Sequence, residues 1–142
     1  TRIGNSVMYL DILNRLGSNS TDINSTSVVT LLHFRNYKAL LTADIQPSDI
    51  TELVKELKNI QINKVNYIKI PHHGSKNGLT RELLEIVSPE LAVVSVGKNN
   101  WGHPNSETLQ LLTEKKIKTL RTDEGGDIEI IVSKKGWSQK VQ

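Results

Sequence analysis

At 142 residues the chain is long enough for one domain with its own core, residues 1–142, and too short to suggest two. Hydrophobic residues make up 37% of it, and no apolar run approaches the length of a membrane span. Cysteine is absent, which excludes disulfides and thiolate metal sites and leaves His, Asp and Glu as the available metal ligands; the net charge of +3 suits an anionic partner such as nucleic acid.

The chain begins at Thr1 with neither an initiator Met nor a leader, which reads as a segment of a longer protein. "SVMYLDIL" has strand character, and "NRLGSNSTDINST" is a loop rich in Asn, Ser and Thr. "SVVTLLHF" and "KALLTA", separated by "RNY", form a hairpin entering a buried sheet. In "PSDITELVKELKNI" the apolar residues Ile50, Leu53, Val54, Leu57 and Ile60 have the spacing of a helix with one buried stripe, with Ser48 as N-cap and Asp49 in the first turn. "VNYIKI" is a buried strand. It leads to "LTRELLEIV", a helix capped by Thr80 and stapled by Leu79 onto Leu84. "LAVVSVG" is a further apolar strand, and "HPNSETLQLLTEKK" a helix capped by Asn105 that turns Leu109 and Leu112 inward. "IKTLRT", the turn "DEGG" and "DIEIIVS" close the chain as a hairpin. The alternation predicts an α/β fold, a mixed sheet with helices on one side.

Each candidate for chemistry follows a strand. Asp44 ends "KALLTAD", His72 and His73 follow "VNYIKI", and His103 lies in the loop after "LAVVSV". If these strands are parallel, all three groups reach the rim formed by their carboxyl ends. One carboxylate and two or three imidazoles suit zinc, manganese or iron, and two adjacent imidazoles in a tight turn are hard to justify by packing alone. Gly74 and Ser75 let the backbone turn sharply and add donors for an anion. Taken singly these residues have plainer readings. Asp44 is as suited to capping the next segment, His103 before Pro104 to a surface turn, and His33 to a strand with its ring satisfied by a neighbour. No Gly-x-Ser-x-Gly elbow supports a triad on Ser75 or Ser95, and neither a phosphate-binding loop nor a dinucleotide fingerprint is present.

The segments "DINSTSVVTLLHFRNYKALLTADI", "IKIPHHGSKNG", "LAVVSVGKNNWGHPN" and "LRTDEGGDIEI", in this order, resemble the C-terminal half of the metallo-β-lactamase-fold domain of ComEC-type competence proteins and their free-standing relatives. The resemblance implies half of a four-layer αββα sandwich with a divalent metal site, zinc or manganese, at its rim. Asp44 then matches the aspartate that bridges two metals, and one of His72 and His73 matches the last histidine ligand. It places Ser75, Lys76, Asn99, Asn100 and His103 on the substrate side. Two departures stand out: Thr42, Ala43 and Asp44 replace the family's Thr-Gly-Asp, and its His-x-His-x-Asp-His motif is not in this sequence and is expected upstream of Thr1. Two metals need about six protein ligands, so the site within this chain is incomplete.

Together these features predict part of a metal-dependent hydrolase directed at phosphodiesters or nucleic acid, inactive as this segment alone. Its partners are the missing N-terminal half and an anionic phosphoester substrate. Membrane attachment and an extracytoplasmic location follow only if the parent is a competence membrane protein. The alternative is a degenerate, non-catalytic module that binds nucleic acid or a protein. A third reading holds a single metal with Asp44, His72 or His73, and His103.

Overall fold

The computed structural model describes residues 1–13, 23–76 and 78–142. Seven strands form one sheet in sequential order: β1 (Arg2–Gly4), β2 (Met8–Ile12), β3 (Thr30–Phe34), β4 (Tyr37–Leu41), β5 (Tyr67–Lys69), β6 (Leu91–Val94) and β7 (Lys118–Arg121). The first four are antiparallel, with short turns between β1 and β2 and between β3 and β4, whereas β4 through β7 run parallel. The parallel strands are linked by α1 (Pro47–Asn59), α2 (Arg81–Val87) and α3 (Ser106–Glu114). Most of the expected loop at residues 14–26 lies outside the described residues, and Ile23–Thr26 form a single helical turn.

The strand faces explain the layering. Leu31, Leu40, Ile68, Ala92 and Val94 point to one face and share a continuous cluster with Ile50, Leu53, Val54, Leu57, Leu83, Leu84, Val87 and Leu112 from the three helices. Burial of this apolar surface is the main stabilising term, and it keeps all three helices on one side of a mixed α/β sheet. The opposite face carries Leu32, Phe34, Ala39, Leu41 and Tyr67, which line an apolar slot of about 260 Å³ together with Ile130 and Val132. Those two residues belong to a separate hairpin of β8 (Ile128–Ser133) and β9 (Gly136–Val141). Trp137 anchors it by donating from Nε1 to Glu90 Oε2 at 3.1 Å and meeting Tyr37 edge-on at 5.6 Å.

Several local expectations need correction. The N-cap of α1 is Gln46, not Ser48. Pro47 supplies the fixed φ of a first helical residue, and the Asp49 carboxylate reaches back to accept from the Gln46 backbone N–H at 2.9 Å. Ile60 falls beyond the end of that helix and is 43% exposed. In α3, capped as expected by Asn105, Leu112 is buried but Leu109 only half so, while Thr108 turns inward. The closing hairpin does not turn at "DEGG". "IKTLRT" follows a helix, so β7 joins β6 in parallel by the crossover that a βαβ unit favours; one helical turn, α4 (Thr122–Gly125), then releases the chain to the β8–β9 pair.

Register levels the ends of the parallel strands. Leu41 sits beside Lys69, Lys69 beside Val93, and Val93 beside Leu120. Residues a few positions further on in each chain segment therefore emerge at a common rim.

Candidate metal corner at the strand rim

After β4 the backbone bends at Ala43, whose φ of 50° lies in the left-handed region that favours glycine. Thr42 Oγ1 donates to the Lys69 carbonyl at 2.7 Å, and the His72 N–H donates to the Ala43 carbonyl at 3.1 Å. These bonds tie the Asp44 segment to the histidine segment. The latter, Pro71–Gly74, is one tight helical turn in which His72, His73 and Gly74 all have positive φ (47°, 54° and 78°). Three consecutive left-handed residues are costly, of order 1–2 kcal/mol for each non-glycine. The turn survives because the start of α3 clamps its C-terminal end. The Asn105 N–H donates to the Gly74 carbonyl at 2.8 Å, and Thr108 Oγ1 donates to the buried Ser75 carbonyl at 3.1 Å.

This geometry separates the two histidines. His73 lies with Nε2 3.3 Å from Asp44 Oδ2, and its Nδ1 is 2.6 Å from the Ser95 carbonyl oxygen. A carbonyl only accepts, so Nδ1 carries a proton and donates it, which leaves Nε2 as the ring nitrogen that faces the carboxylate. A backbone acceptor on the far ring nitrogen is the arrangement that orients metal-bound histidines. Two ligand atoms each about 2.0 Å from a tetrahedral zinc ion lie about 3.3 Å apart, the separation found between Asp44 and His73. The donor chemistry and spacing thus fit a divalent ion. His72 turns instead toward His103, with ring centroids 5.8 Å apart, and stands edge-on to His73 at 6.4 Å. Among the described residues, no group of three or more His, Asp or Glu side chains converges on one point suited to a metal.

The other expected site residues lie around this corner. His103, whose Nδ1 is buried without a hydrogen-bond partner among the described residues, lines a hollow of about 140 Å³ with His73, Lys98, Asn99 and Trp101. Asn99 spends its amide inside its own loop. Nδ2 donates to the Gly97 and His103 carbonyls at 2.9 and 2.7 Å, and Oδ1 accepts from the Trp101 and His103 N–H groups, each at 3.1 Å. Asn100 is exposed on that loop. The Ser75 residue is buried, and Lys76 points to α3, where it pairs with Glu107 at 3.0 Å.

Two further side chains shape the rim. Lys69, the lone cation of "VNYIKI", donates from Nζ to the Ala43 carbonyl at 3.1 Å and reaches Asp44 Oδ1 at 3.5 Å. Burial pushes its ammonium below the ordinary value, opposed by the Asp44 charge. Thr122, at the end of β7, accepts from the Val96 N–H and donates to the Val96 carbonyl, both at 2.7 Å, which sets the start of the loop that carries Trp101 and His103. The signal for Lys69 was present as a single charge inside an apolar strand; Thr122 has none beyond its place after a strand.

No family model matches the chain. It is 35% identical over 107 residues to ComE operon protein 3 of Bacillus subtilis (strain 168), an alignment covering 75% of this chain and 13% of that protein. It is 28% identical over 108 residues to Recombination protein 2 of Haemophilus influenzae, again 75% of this chain and 13% of the relative. The chain therefore spans 13% of the length of each of these relatives. Both similarities support a competence-related protein.

Proposed function

We propose that this chain supplies one part of the metal centre of a metallo-β-lactamase-type hydrolase that cleaves phosphodiester bonds in nucleic acid. The observation that carries the reading is the Asp44–His73 pair, 3.3 Å apart, with the distal imidazole nitrogen bound to the Ser95 carbonyl. Asp44 and His73 are two ligands of about six that a dinuclear centre needs, and the rest come from an upstream segment. A bound zinc or manganese ion supplies Lewis-acid polarisation of the phosphoryl oxygen and activation of water. The Ser95 carbonyl holds the His73 ring in the ligating tautomer. Lys69 fixes the second carboxylate oxygen, so that Asp44 presents one oxygen toward His73. His103, beside both histidines, faces the substrate with Asn100 on the open side of the loop.

The test is hydrolysis of bis(p-nitrophenyl) phosphate, with zinc or manganese supplied, by a longer protein in which a His-x-His-x-Asp-His segment precedes this chain. Asp44→Asn and His73→Ala should each lower the rate at least about a hundredfold, as loss of a ligand does at least as much damage as loss of an outer partner. Activity retained in both variants would remove the proposal.

A further inference from the structure

Trp101 is 80% exposed, the most exposed of the large apolar side chains among the described residues. Tryptophan is seldom left so open, because its ring carries a large apolar area. Its backbone is nevertheless held firmly. Asn99 Oδ1 accepts from the Trp101 N–H at 3.1 Å, the same oxygen accepts from the His103 N–H, and the Asn99 amide closes the loop through the Gly97 and His103 carbonyls. Thr122 pins the loop at Val96, and the Asn105 N–H pins its far end to Gly74. The indole thus stands on a rigid base, on the wall of the hollow that also holds His73 and His103, with the exposed cation Lys98 beside it.

We infer that Trp101 is a base-stacking platform, which makes the substrate of this site single-stranded nucleic acid. The inference rests on the phosphodiesterase reading of the Asp44–His73 corner. A flat aromatic face, a lysine and a phosphate-directed metal corner on one small hollow match the parts of a nucleotide: base, backbone charge and scissile ester. Every base offers a π-face, so the platform is tolerant of sequence, but in a duplex those faces are already covered. A preordered loop holds the ring in place before binding, so little ordering entropy is lost. The second tryptophan, Trp137, is half-buried, hydrogen-bonded to Glu90 and on the separate hairpin, and serves as an internal control.

The experiment measures fluorescence anisotropy of a dye-labelled oligothymidylate and of an abasic strand of equal length and charge, titrated with the 142-residue chain. Trp101→Ala should weaken oligothymidylate binding about tenfold and leave the abasic strand unchanged, while Trp101→Phe keeps most of the affinity and Trp137→Phe all of it. Equal weakening on both strands, or no change on either, would overturn the inference. Zinc uptake that depends on Asp44 and His73, measured on the longer protein that carries the upstream segment, separates this from the metal reading. Trp101-dependent binding without zinc uptake refutes only the metal corner, whereas zinc uptake without Trp101 dependence refutes only the stacking platform.

Discussion

Gly74 joins the fold to the candidate site, and replacing it with alanine tests the clamp around the two histidines. Its φ of 78° lies in the left-handed region, which costs a residue with a Cβ about 1–2 kcal/mol. The added Cβ would also stand 2.8 Å from Pro104 Cβ, 3.2 Å from Pro104 Cα and 3.3 Å from Val94 Cγ1. Pro104 is held by the Asn105 to Gly74 hydrogen bond and Val94 is fully buried in the sheet, so neither can move freely. Crowding of this kind adds about 1–3 kcal/mol, for a total of about 2–5 kcal/mol, a large share of a typical domain's stability. Two neighbours separate the contributions. Gly102 has a φ of 74° with nothing within 4 Å of its added Cβ, so Gly102→Ala should cost only the backbone part, about 1–2 kcal/mol. Gly97 has open space and no positive φ, so Gly97→Ala should lie within about 0.5 kcal/mol of the parent. Urea unfolding followed by circular dichroism reads all three. Equal losses for Gly74→Ala and Gly102→Ala would show that the packing of the histidine turn against Pro104 is not tight.

Removing the hydroxyl of buried Thr108 leaves the Ser75 carbonyl without its side-chain donor, so Thr108→Val should destabilise the chain by about 1–2 kcal/mol; an unchanged urea midpoint would remove this second clamp from the account. His33 provides a pH test away from the rim. It stacks on Tyr9 at 4.3 Å with Nε2 3.3 Å from Asp11 Oδ2, though without hydrogen-bond geometry, and Arg2 and Lys38 lie near it. Burial is the main cause holding its imidazole below the usual 6.5, with Asp11 opposing. The unfolded chain therefore takes up this proton first. The stabilising contribution is complete above pH 6.5 and is lost as pH falls toward the folded-state value. His33→Gln should flatten the fall in stability between about pH 7 and 5, and parallel curves for parent and variant would contradict the assignment.

Much of the architecture was legible because burial imposes periodicity. Ile50, Leu53, Val54 and Leu57 face the sheet as their spacing requires, and the β3–β4 pair follows from two apolar runs around a short turn. The rim was legible for the same reason, since parallel strands deliver whatever follows them to one edge. The different settings of His72 and His73 were not. Both have left-handed backbones, and what separates them is the Ser95 carbonyl, contributed by a segment twenty-two residues away. Asn99 and Ser75 show a similar limit. Their types suit ligand binding, yet the loop and α3 use their polar groups, or bury them, through partners distant in sequence or set by loop shape. The closing hairpin misled because "IKTLRT" and "DIEIIVS" both read as strands around a glycine turn, while the preceding helix decides that the first belongs to the parallel sheet.

The most direct test of the metal corner is imidazole nitrogen NMR, during titration with zinc, of the longer protein in which the His-x-His-x-Asp-His segment precedes this chain and completes the ligand set. Before zinc, His73 should carry its proton on Nδ1, and with zinc its Nε2 signal should shift while both His72 nitrogens stay in place. A shift at His72 in place of His73, or no response at either, would contradict the assignment of Asp44 and His73 as metal ligands.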